Sequence, residues 1–240
     1  MKTVVVTGAT RGLGLVISRQ AHNDGYRVIA VGRKLTDGLL TLCEQSSERV
    51  HFERYDFNDL SGIHKFAGGL TKKYGRLWGL VNNAAIGTDG VLATLHERDI
   101  AQALRINVEA PILLTKYLLR PMLINRGGRI INISSIIAST GFSGLSVYGA
   151  SKAALIGFTR SLAREVGKAN ITVNAIAPGF MQTDMTAALQ GDKLESIKRR
   201  TPLGKLATPE DVAFAAVYFL DNKAACVTGS TFTVDAGSTA

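Results

Sequence analysis

Cysteine is scarce in this sequence, which holds only Cys43 and Cys226 among its 240 residues. The two lie far apart and form no CxxC pair, so the sequence indicates neither a disulfide framework nor a thiolate metal site. The four histidines show no HExxH or comparable ligand spacing. We therefore expect no bound metal.

Long apolar runs are missing as well. The longest, residues 212–220, has nine residues, whereas a membrane-spanning helix needs about 20. The first apolar segment has only three apolar residues, 4–6, before a glycine turn, which is too short for the apolar part of a signal peptide. We therefore expect no membrane partner and a cytoplasmic protein.

Acidic residues are outnumbered, since 19 Asp and Glu stand against 28 Lys and Arg, a formal net charge of +9. The basic residues are scattered, and Lys198, Arg199 and Arg200 form the one small cluster. A solvated positive surface explains this pattern without a nucleic-acid partner, which we do not expect. The alternative is that the charge attracts acidic partners: a phosphorylated cofactor, coenzyme A or an acidic carrier protein. Charge alone does not choose among them.

The composition, 46% hydrophobic and 20% charged, is that of a globular chain, and its length suits one domain over residues 1–240. Apolar β-branched runs alternate with amphipathic segments of helix length. Strands are predicted at residues 3–7, 27–31, 50–55, 79–82, 129–134, 171–176 and 231–234. Helices are predicted at residues 12–23, 61–74, 108–123, 146–166 and 209–220. Strands that are apolar on both faces, each followed by a helix, predict an α/β fold of the doubly wound (Rossmann) type, with about seven parallel strands and helices on both faces.

The first turn from strand to helix is rich in glycine and reads Thr7-Gly8-Ala9-Thr10-Arg11-Gly12-Leu13-Gly14. In a doubly wound sheet this turn is the usual phosphate site, because glycines allow the backbone to approach a pyrophosphate and the helix N-terminus points at negative charge. A lone glycine pattern is a weak signal, but this one follows a predicted strand and opens a predicted helix. A P-loop is excluded, since no Lys-Ser or Lys-Thr follows the last glycine. The turn predicts a dinucleotide site.

The end of the second predicted strand indicates which dinucleotide is bound. It reads Val31-Gly32-Arg33-Lys34 and lacks the carboxylate with which NAD enzymes hold the ribose hydroxyls. Arg33, with Arg11 in the glycine turn, is suited to hold a 2′-phosphate. We therefore predict NADP(H). The alternative interpretation is that both arginines are surface residues and NAD is accepted too.

Three residues in the second half of the chain suggest proton transfer. Tyr148 and Lys152 are four residues apart, so on a helix they share a face, with about 5 to 6 Å between their Cβ atoms. An ammonium close to a phenol lowers the phenol's pKa toward neutral pH, which makes Tyr148 the predicted general acid in reduction and base in oxidation. Ser135 ends a predicted strand and is predicted to donate a hydrogen bond to a substrate carbonyl, so Ser135 and Tyr148 are also the predicted substrate-binding residues.

Each of these residues alone has an ordinary structural explanation: a packed tyrosine, a solvated lysine, a serine in a turn. Their combination with the upstream nucleotide turn favours a shared catalytic role. A serine hydrolase is disfavoured, because the sequence has no GxSxG motif and no histidine in a suitable late position.

Five motifs along the whole chain resemble the short-chain dehydrogenase/reductase family. They are the TGxxxGxG pattern that begins at Thr7, Asn82-Asn83-Ala84-Ala85, Asn107, Ser135 with Tyr148-Gly149-Ala150-Ser151-Lys152, and Pro178-Gly179. The one departure is Ala85, where the family has glycine, so cofactor affinity or the shape of that loop could differ.

The resemblance implies roles for further residues. It implies that Asn107 belongs to the catalytic set and positions a water that relays protons to Lys152, which also holds the nicotinamide ribose. It implies that Asp56 faces the adenine. The full cofactor-binding set that follows is Gly8, Thr10, Arg11, Gly12, Leu13, Gly14, Arg33, Asp56, Phe57, Asn83, Tyr148, Lys152, Met181 and Thr183. The family is usually tetrameric through its long helices, and the small and apolar residues of segment 146–166 suggest such a homo-oligomer here.

Residues 128–135, 161–166 and 177–186 resemble the 3-oxoacyl-acyl-carrier-protein reductases of fatty-acid synthesis. This implies that NADPH reduces a 3-oxoacyl thioester to the 3-hydroxyacyl form, with an acyl carrier protein or coenzyme A thioester as partner. It also implies basic residues near the cleft that dock the acidic carrier, with Arg126, Arg129 and Lys168 as candidates. Ala169 and Asn170, however, occupy a stretch where those enzymes usually place an arginine.

Two alternatives stay open for the function. One is an NADP(H)-dependent reductase of acetoacetyl-coenzyme A or of another small ketone or alcohol, since relatives with other substrates share parts of these segments. The other is a non-enzymatic nucleotide-sensing or nucleic-acid-binding protein that uses the basic surface. A sensor would have no need of Asn107, Ser135, Tyr148 and Lys152 together, which disfavours it.

Overall fold

The computed structural model describes residues 1–46, 48–181 and 192–240. Within these ranges seven strands form one parallel sheet in the order β3-β2-β1-β4-β5-β6-β7. The strands are β1 Thr3–Thr7, β2 Arg27–Gly32, β3 Val50–Arg54, β4 Leu77–Asn82, β5 Gly128–Ile133, β6 Ile171–Pro178 and β7 Thr231–Val234. The predicted doubly wound sheet is confirmed.

The helices cover both faces of this sheet. They are α1 Gly12–Asn23, α2 Asp37–Gln45, α3 Ile63–Tyr74, α4 Glu97–Leu104, α5 Ala110–Ile124, α6 Ile137–Thr140, α7 Ser146–Val166, α8 Asp192–Arg200 and α9 Pro209–Leu220. A π-helical turn, Arg105–Glu109, joins α4 to α5. None of the helices within the described ranges is both long and apolar enough to cross a membrane.

Strand β1, near the centre of the sheet, packs against helices on both faces. Val4 and Val6 pack into a buried cluster that includes residues of α1 and α9, whereas Val5 packs into a second cluster with α3, α5 and α7. Successive side chains of a strand point to opposite faces. A strand that is buried throughout, as β1 is, therefore joins both clusters and fixes the sheet between the two helical layers.

Four helices, α2, α4, α6 and α8, were not among those predicted from the sequence, and burial explains the first two. In α2 only Leu39 and Leu42 are buried, and in α4 only Ala103 is. Helices with so few buried positions leave little apolar periodicity to detect. The π-helical turn before α5 was also unforeseen, since the sequence predicted regular helix from residue 108.

The sheet topology determines where a ligand site is expected. The chain passes from β1 to β2 on one side and later returns to β4 on the other side of β1. At such a switch point a crevice opens beyond the carboxyl ends of the strands. The glycine turn that follows β1 lies at this end of the sheet, as do Asn83 after β4 and Ser135 after β5.

Candidate active site

The glycine turn between β1 and α1 has the backbone geometry that its sequence predicts. Gly8 and Gly12 adopt φ values of +64° and +51°. Residues that carry a Cβ atom rarely adopt such positive φ values. A Cβ atom on Gly14 would lie 2.2 Å from the carbonyl oxygen of Gly8, so the turn closes only with glycine there. A Cβ atom on Gly12 would meet no atom within 4 Å, so the backbone of Gly12 faces open space. The turn thus forms a cradle in which a pyrophosphate fits against the N-terminus of α1.

Thr7 and Asn83 fasten this turn to the end of β4. The Thr7 Oγ1 atom accepts hydrogen bonds from the backbone N–H groups of Asn83 at 2.9 Å and Ala84 at 3.0 Å. In return, the Asn83 side-chain amide donates to the carbonyl oxygens of Thr7 at 2.9 Å and Gly8 at 3.2 Å. Both N–H groups of this amide are therefore used to hold the turn, and only its oxygen is left for a ligand. Thr7 was not among the predicted site residues, although it precedes the glycines.

Of the two arginines predicted to bind a 2′-phosphate, one lies in this turn and the other follows β2. Arg11 is the exposed residue at which α1 begins, and Arg33 is exposed just after β2. A Cβ atom on Gly32 would lie 2.4 Å from the Thr10 side chain, and the Thr36 hydroxyl donates to the Thr10 carbonyl. The end of β2 is thus held against the glycine turn, which brings Arg33 beside it.

The other predicted cofactor residues differ in position. Asp56 is exposed, and its Oδ1 atom accepts a hydrogen bond from the backbone of Asn58 at 3.0 Å. Phe57 is buried, with its ring 5.2 Å from that of Tyr55, so it supports the cleft from within the core. The remaining described members are Leu13 and Met181, which are half-buried against the α1 and α9 cluster. Thr183 lies outside the described residues.

Ser135, Tyr148 and Lys152 come together where β5 ends against α7. The Lys152 ammonium lies 5.7 Å from the centre of the Tyr148 ring, and the Ser135 side chain is close enough to the Tyr148 hydroxyl to lower its pKa. The Lys152 Nζ atom donates to the carbonyl oxygen of Ile133 at 2.9 Å. The neighbouring Ser134 hydroxyl donates to the Lys152 carbonyl at 2.8 Å, so two bonds join α7 to the end of β5. A hydroxyl, a phenol and an ammonium therefore meet at the cleft, as the spacing predicted.

Burial dominates the electrostatics of this cluster. Desolvation lowers the pKa of Lys152 to about 8. The pKa of Tyr148 is raised, first by burial and then by the charge of Asp89, while the Ser135 side chain acts in the opposite direction. The expectation that Lys152 brings the Tyr148 pKa below its ordinary value is therefore wrong for this structure. Spacing placed the two groups correctly, but burial of the phenol has the largest effect on its pKa, and Lys152 is not among the groups that shift it.

Asn107 lies in the π-helical turn before α5 and links two parts of the site. Its side chain accepts from the Ile86 N–H at 2.9 Å and donates to the Ile86 carbonyl at 2.9 Å and to the Ser151 hydroxyl at 3.1 Å. Ser151 in turn donates to the Tyr148 carbonyl at 2.7 Å. Such π-helical turns are frequent at functional sites. Asn107 therefore ties the loop after β4 to the helix of Tyr148, and Ser151 is a linking residue that the sequence did not reveal.

The basic residues expected near the cleft to dock a carrier lie elsewhere in the chain. Arg129 is the second residue of β5, whereas Ser135 follows the end of the same strand. Six residues of strand span about 20 Å. Arg126 precedes this strand, and its guanidinium donates to the Lys168 carbonyl at 3.4 Å. The expectation that these residues border the cleft of the same chain is therefore wrong, because they stand at the amino-terminal edge of the sheet.

Comparison with known proteins agrees with the fold and the order of motifs. The family model described as enoyl-(acyl carrier protein) reductase matches residues 8–239. The 3-oxoacyl-(acyl-carrier-protein) reductase FabG of Rickettsia prowazekii is 37% identical over 236 residues, which cover 98% of this chain and 96% of that protein.

Solved structures give the same picture. A protein of Beutenbergia cavernae, assigned as an NAD(P)-dependent gluconate 5-dehydrogenase and solved with NADP, is 34% identical with a TM-score of 0.93, over 99% of this chain and 96% of that one. The actinorhodin polyketide ketoreductase with NADPH is 30% identical with a TM-score of 0.90, over 99% and 97% of the two chains. Matches of this length show that the chain belongs to the short-chain dehydrogenase/reductase family, NAD(P)-dependent oxidoreductases that act on CH–OH and C=O groups.

Proposed function

We propose that this protein is an NADPH-dependent reductase that converts a 3-oxoacyl thioester, carried by an acyl carrier protein, into the 3-hydroxyacyl form. The observation that carries the proposal is the meeting of Ser135, Tyr148 and the buried Lys152 beside the glycine turn. The identity to a 3-oxoacyl-(acyl-carrier-protein) reductase, 37% over nearly the whole chain, supports the choice of substrate class.

The glycine turn and the residues around it fit a dinucleotide with a 2′-phosphate. The backbone of Gly8, Gly12 and Gly14 would hold the pyrophosphate, and Lys152 has N–H donors beyond the one bound to Ile133 with which to hold the nicotinamide ribose. Arg11 and Arg33 would hold the 2′-phosphate. When bound there, the cofactor supplies the hydride.

The residues of the chain supply the proton and stabilise the charge. Ser135 donates a hydrogen bond to the substrate carbonyl oxygen, on which negative charge grows during reduction. Because burial raises the pKa of Tyr148, the phenol keeps its proton at neutral pH and can transfer it to that oxygen. The phenolate left behind lies close to the Lys152 ammonium, which stabilises it. A phenol that is protonated at neutral pH is the form that reduction requires.

A panel of substrates tests this proposal. The same 3-oxoacyl group is offered on acyl carrier protein, on coenzyme A and as a free ester, and the loss of NADPH absorbance is followed. We expect the highest kcat/KM with the carrier-bound group. Tyr148→Phe should lower kcat by at least about a hundredfold, the usual contribution of general acid catalysis, while NADPH still binds.

The outcomes of this panel separate the candidate functions. Equal turnover of the carrier and coenzyme A thioesters would favour the second candidate, a reductase of acetoacetyl-coenzyme A or a small ketone. One observation favours that candidate: Arg126 and Arg129 stand away from the cleft of their own chain. No turnover of any carbonyl compound, together with salt-sensitive binding of DNA or RNA, would instead support a non-enzymatic binding protein.

We also propose that the chain assembles into a homotetramer. Helix α7 leaves a stripe of small residues exposed, formed by Ala150, Ala153, Ala154 and Gly157. A separate apolar face is exposed on α9 and the edge strand β7, formed by Phe214, Tyr218 and Phe232. A closed tetramer with two-fold symmetry needs at least two distinct self-complementary surfaces. The α7 stripe and the α9–β7 face are the candidates for these two surfaces.

A further inference from the structure

A second pocket opens at the end of the sheet opposite the candidate active site, where β4, β5 and β6 begin. Its volume is about 230 Å³, and arginines and a tryptophan dominate its walls. The residues that matter here are Arg76, Trp78, Arg126, Arg129, Asn170 and Asn222. No carboxylate lines the pocket among the residues that the structure describes, although the charge of Asp221 acts on Arg129 and Lys2 from outside the lining.

Arg129 is the unusual member of this group because its charge is buried. The residue is only 4% exposed. Its Nη1 atom donates to the carbonyl oxygens of Gly128 at 2.9 Å and Asn170 at 3.3 Å, but its buried Nε atom has no hydrogen-bond partner. No carboxylate among the described residues pairs with it within 4.0 Å. Asp221 acts on this charge without forming an ion pair. A buried cation without a direct ionic partner is costly, and an anion in the pocket would offset that cost.

Other cations surround the same space. The Arg76 and Arg126 guanidinium groups reach backbone carbonyls of Asn125 at 3.3 Å and Lys168 at 3.4 Å, which leaves further N–H donors on each. Lys2 lies close enough for Arg129 and Arg76 to lower its pKa, after the larger effect of burial, with Asp221 acting in the opposite direction. Four cations, partly offset by Asp221, therefore surround this space.

We propose that this pocket binds a small anion that carries phosphoryl groups. Guanidinium groups present their N–H donors in a planar fork that fits the oxygens of phosphate and carboxylate alike. A phosphoryl group brings about two negative charges on one centre near neutral pH, which suits several guanidinium groups around one pocket better than a single carboxylate does. The site is separate from the dinucleotide cradle, which lies at the other end of the strands.

Trp78 provides a direct reporter for this site. It is the only tryptophan of the chain, and its indole N–H donates to the Leu220 carbonyl at 2.9 Å. The ring lies 3.6 Å from the Lys2 ammonium and 4.6 Å from the Arg129 guanidinium, measured to the ring centre. An anion that binds Arg129 changes the charge beside the indole, so tryptophan emission should respond to binding.

The test is a fluorescence titration of the full chain without NADPH, whose absorption overlaps tryptophan emission. Sodium pyrophosphate and orthophosphate are added in separate arms, with citrate and sodium chloride at matched ionic strength as comparison. We expect a saturable change in emission with at least one of the two phosphate compounds. Arg76→Ala and Arg126→Asn should each weaken that binding by about tenfold or more, the loss expected for a charge-assisted hydrogen bond. Asn suits position 126 because Arg126 has a φ of 47°, which Asn tolerates.

Arg19→Ala is the matched control, since Arg19 is exposed on α1 and lies outside the pocket. It should bind the phosphate compound as the wild type does. The proposal is overturned if chloride at the same ionic strength reproduces the change, if citrate binds as tightly as the phosphate compounds, or if the pocket variants behave like Arg19→Ala. A response to an acidic carrier protein with none to either phosphate compound would likewise overturn it.

Discussion

Lys152 carries a charge that folding removes from water. Its side chain is 3% exposed, and desolvation lowers its pKa from 10.5 to about 8. That change corresponds to about 3 kcal/mol of lost stability whenever the group is protonated in both states. The buried ammonium therefore lowers the stability of the folded chain. Such a cost is common at active sites, and here the proposed role of the charge is to hold a ribose and stabilise a phenolate.

Lys152→Met should raise the stability of the chain while it abolishes turnover. The folded pKa lies below the unfolded one, so the cost of the charge is fully present below pH about 8 and disappears as pH rises toward the unfolded value near 10.4. We expect the variant to gain about 1–3 kcal/mol at pH 7 and to lose this advantage near pH 10. Urea unfolding at the two pH values measures the difference.

Lys72→Met is the control for that experiment, because Lys72 is exposed on α3. It should show no such dependence on pH. If Lys152→Met is less stable than the wild type at pH 7, the bond from Lys152 to the Ile133 carbonyl outweighs desolvation and our account of this residue is wrong.

The proposed preference for NADP(H) rests on Arg33. This residue is exposed just after β2, where it would contact the 2′-phosphate of NADPH, a group that NADH lacks. Arg33→Ala should therefore raise the Michaelis constant for NADPH by about tenfold to a hundredfold and leave that for NADH nearly unchanged. Lys34→Ala, at the next exposed position, is the matched control and should affect NADPH less. Equal effects of Arg33→Ala on both cofactors would show that the arginine does not read the phosphate.

At the scale of single elements, the sequence predicted what depends on spacing and missed what depends on burial. The position of Tyr148 and Lys152 on one face of α7 follows from the helical period, and the structure agrees. The direction of the Tyr148 pKa depends on how much water surrounds the phenol, which no spacing reveals. The π-helical turn of Asn107 was missed for a similar reason, because it depends on hydrogen bonds to Ile86 and Ser151 that only the folded chain brings into reach.

The conformation of the glycine turn could be predicted in more detail than that of most loops, because the backbone geometry requires its glycines. The positive φ of Gly8 and the 2.2 Å approach at Gly14 leave no room for a side chain, so the residue type itself records the turn. The fastening of this turn by Thr7 and Asn83 involves residues 76 positions apart. Contacts of that kind require the order of strands in the sheet, which a motif in one segment does not contain.

At the scale of the whole molecule, strand direction separates two kinds of site. All strands are parallel, so residues that end strands gather at one edge and residues that begin strands gather at the other. Ser135 belongs to the first edge and Arg129 to the second. The placement of Arg129 near the cleft could have been rejected from the predicted strand alone, since this residue opens the strand that Ser135 follows.

The proposed oligomer can be tested through the exposed stripe of small residues on α7. Leu155, Thr159 and Leu162 form the face of α7 that is buried within the chain, while Ala154 and Gly157 on another face are exposed. Small residues on a long helix allow another helix to approach closely, and a carboxylate placed there would be buried without a partner. Ala154→Glu should therefore reduce the proposed tetramer to dimers or monomers in light scattering coupled to size-exclusion chromatography.

Thr41→Glu on the exposed side of α2 introduces the same charge away from both proposed faces. It should keep the mass of the wild type. The α7 stripe is not an interface if Ala154→Glu also keeps that mass, or if the wild-type chain is itself a monomer. Ala154→Glu should still fold, because position 154 is exposed and lies away from the buried face of α7. Circular dichroism checks this: retained secondary structure would show that a loss of mass comes from the interface and not from unfolding.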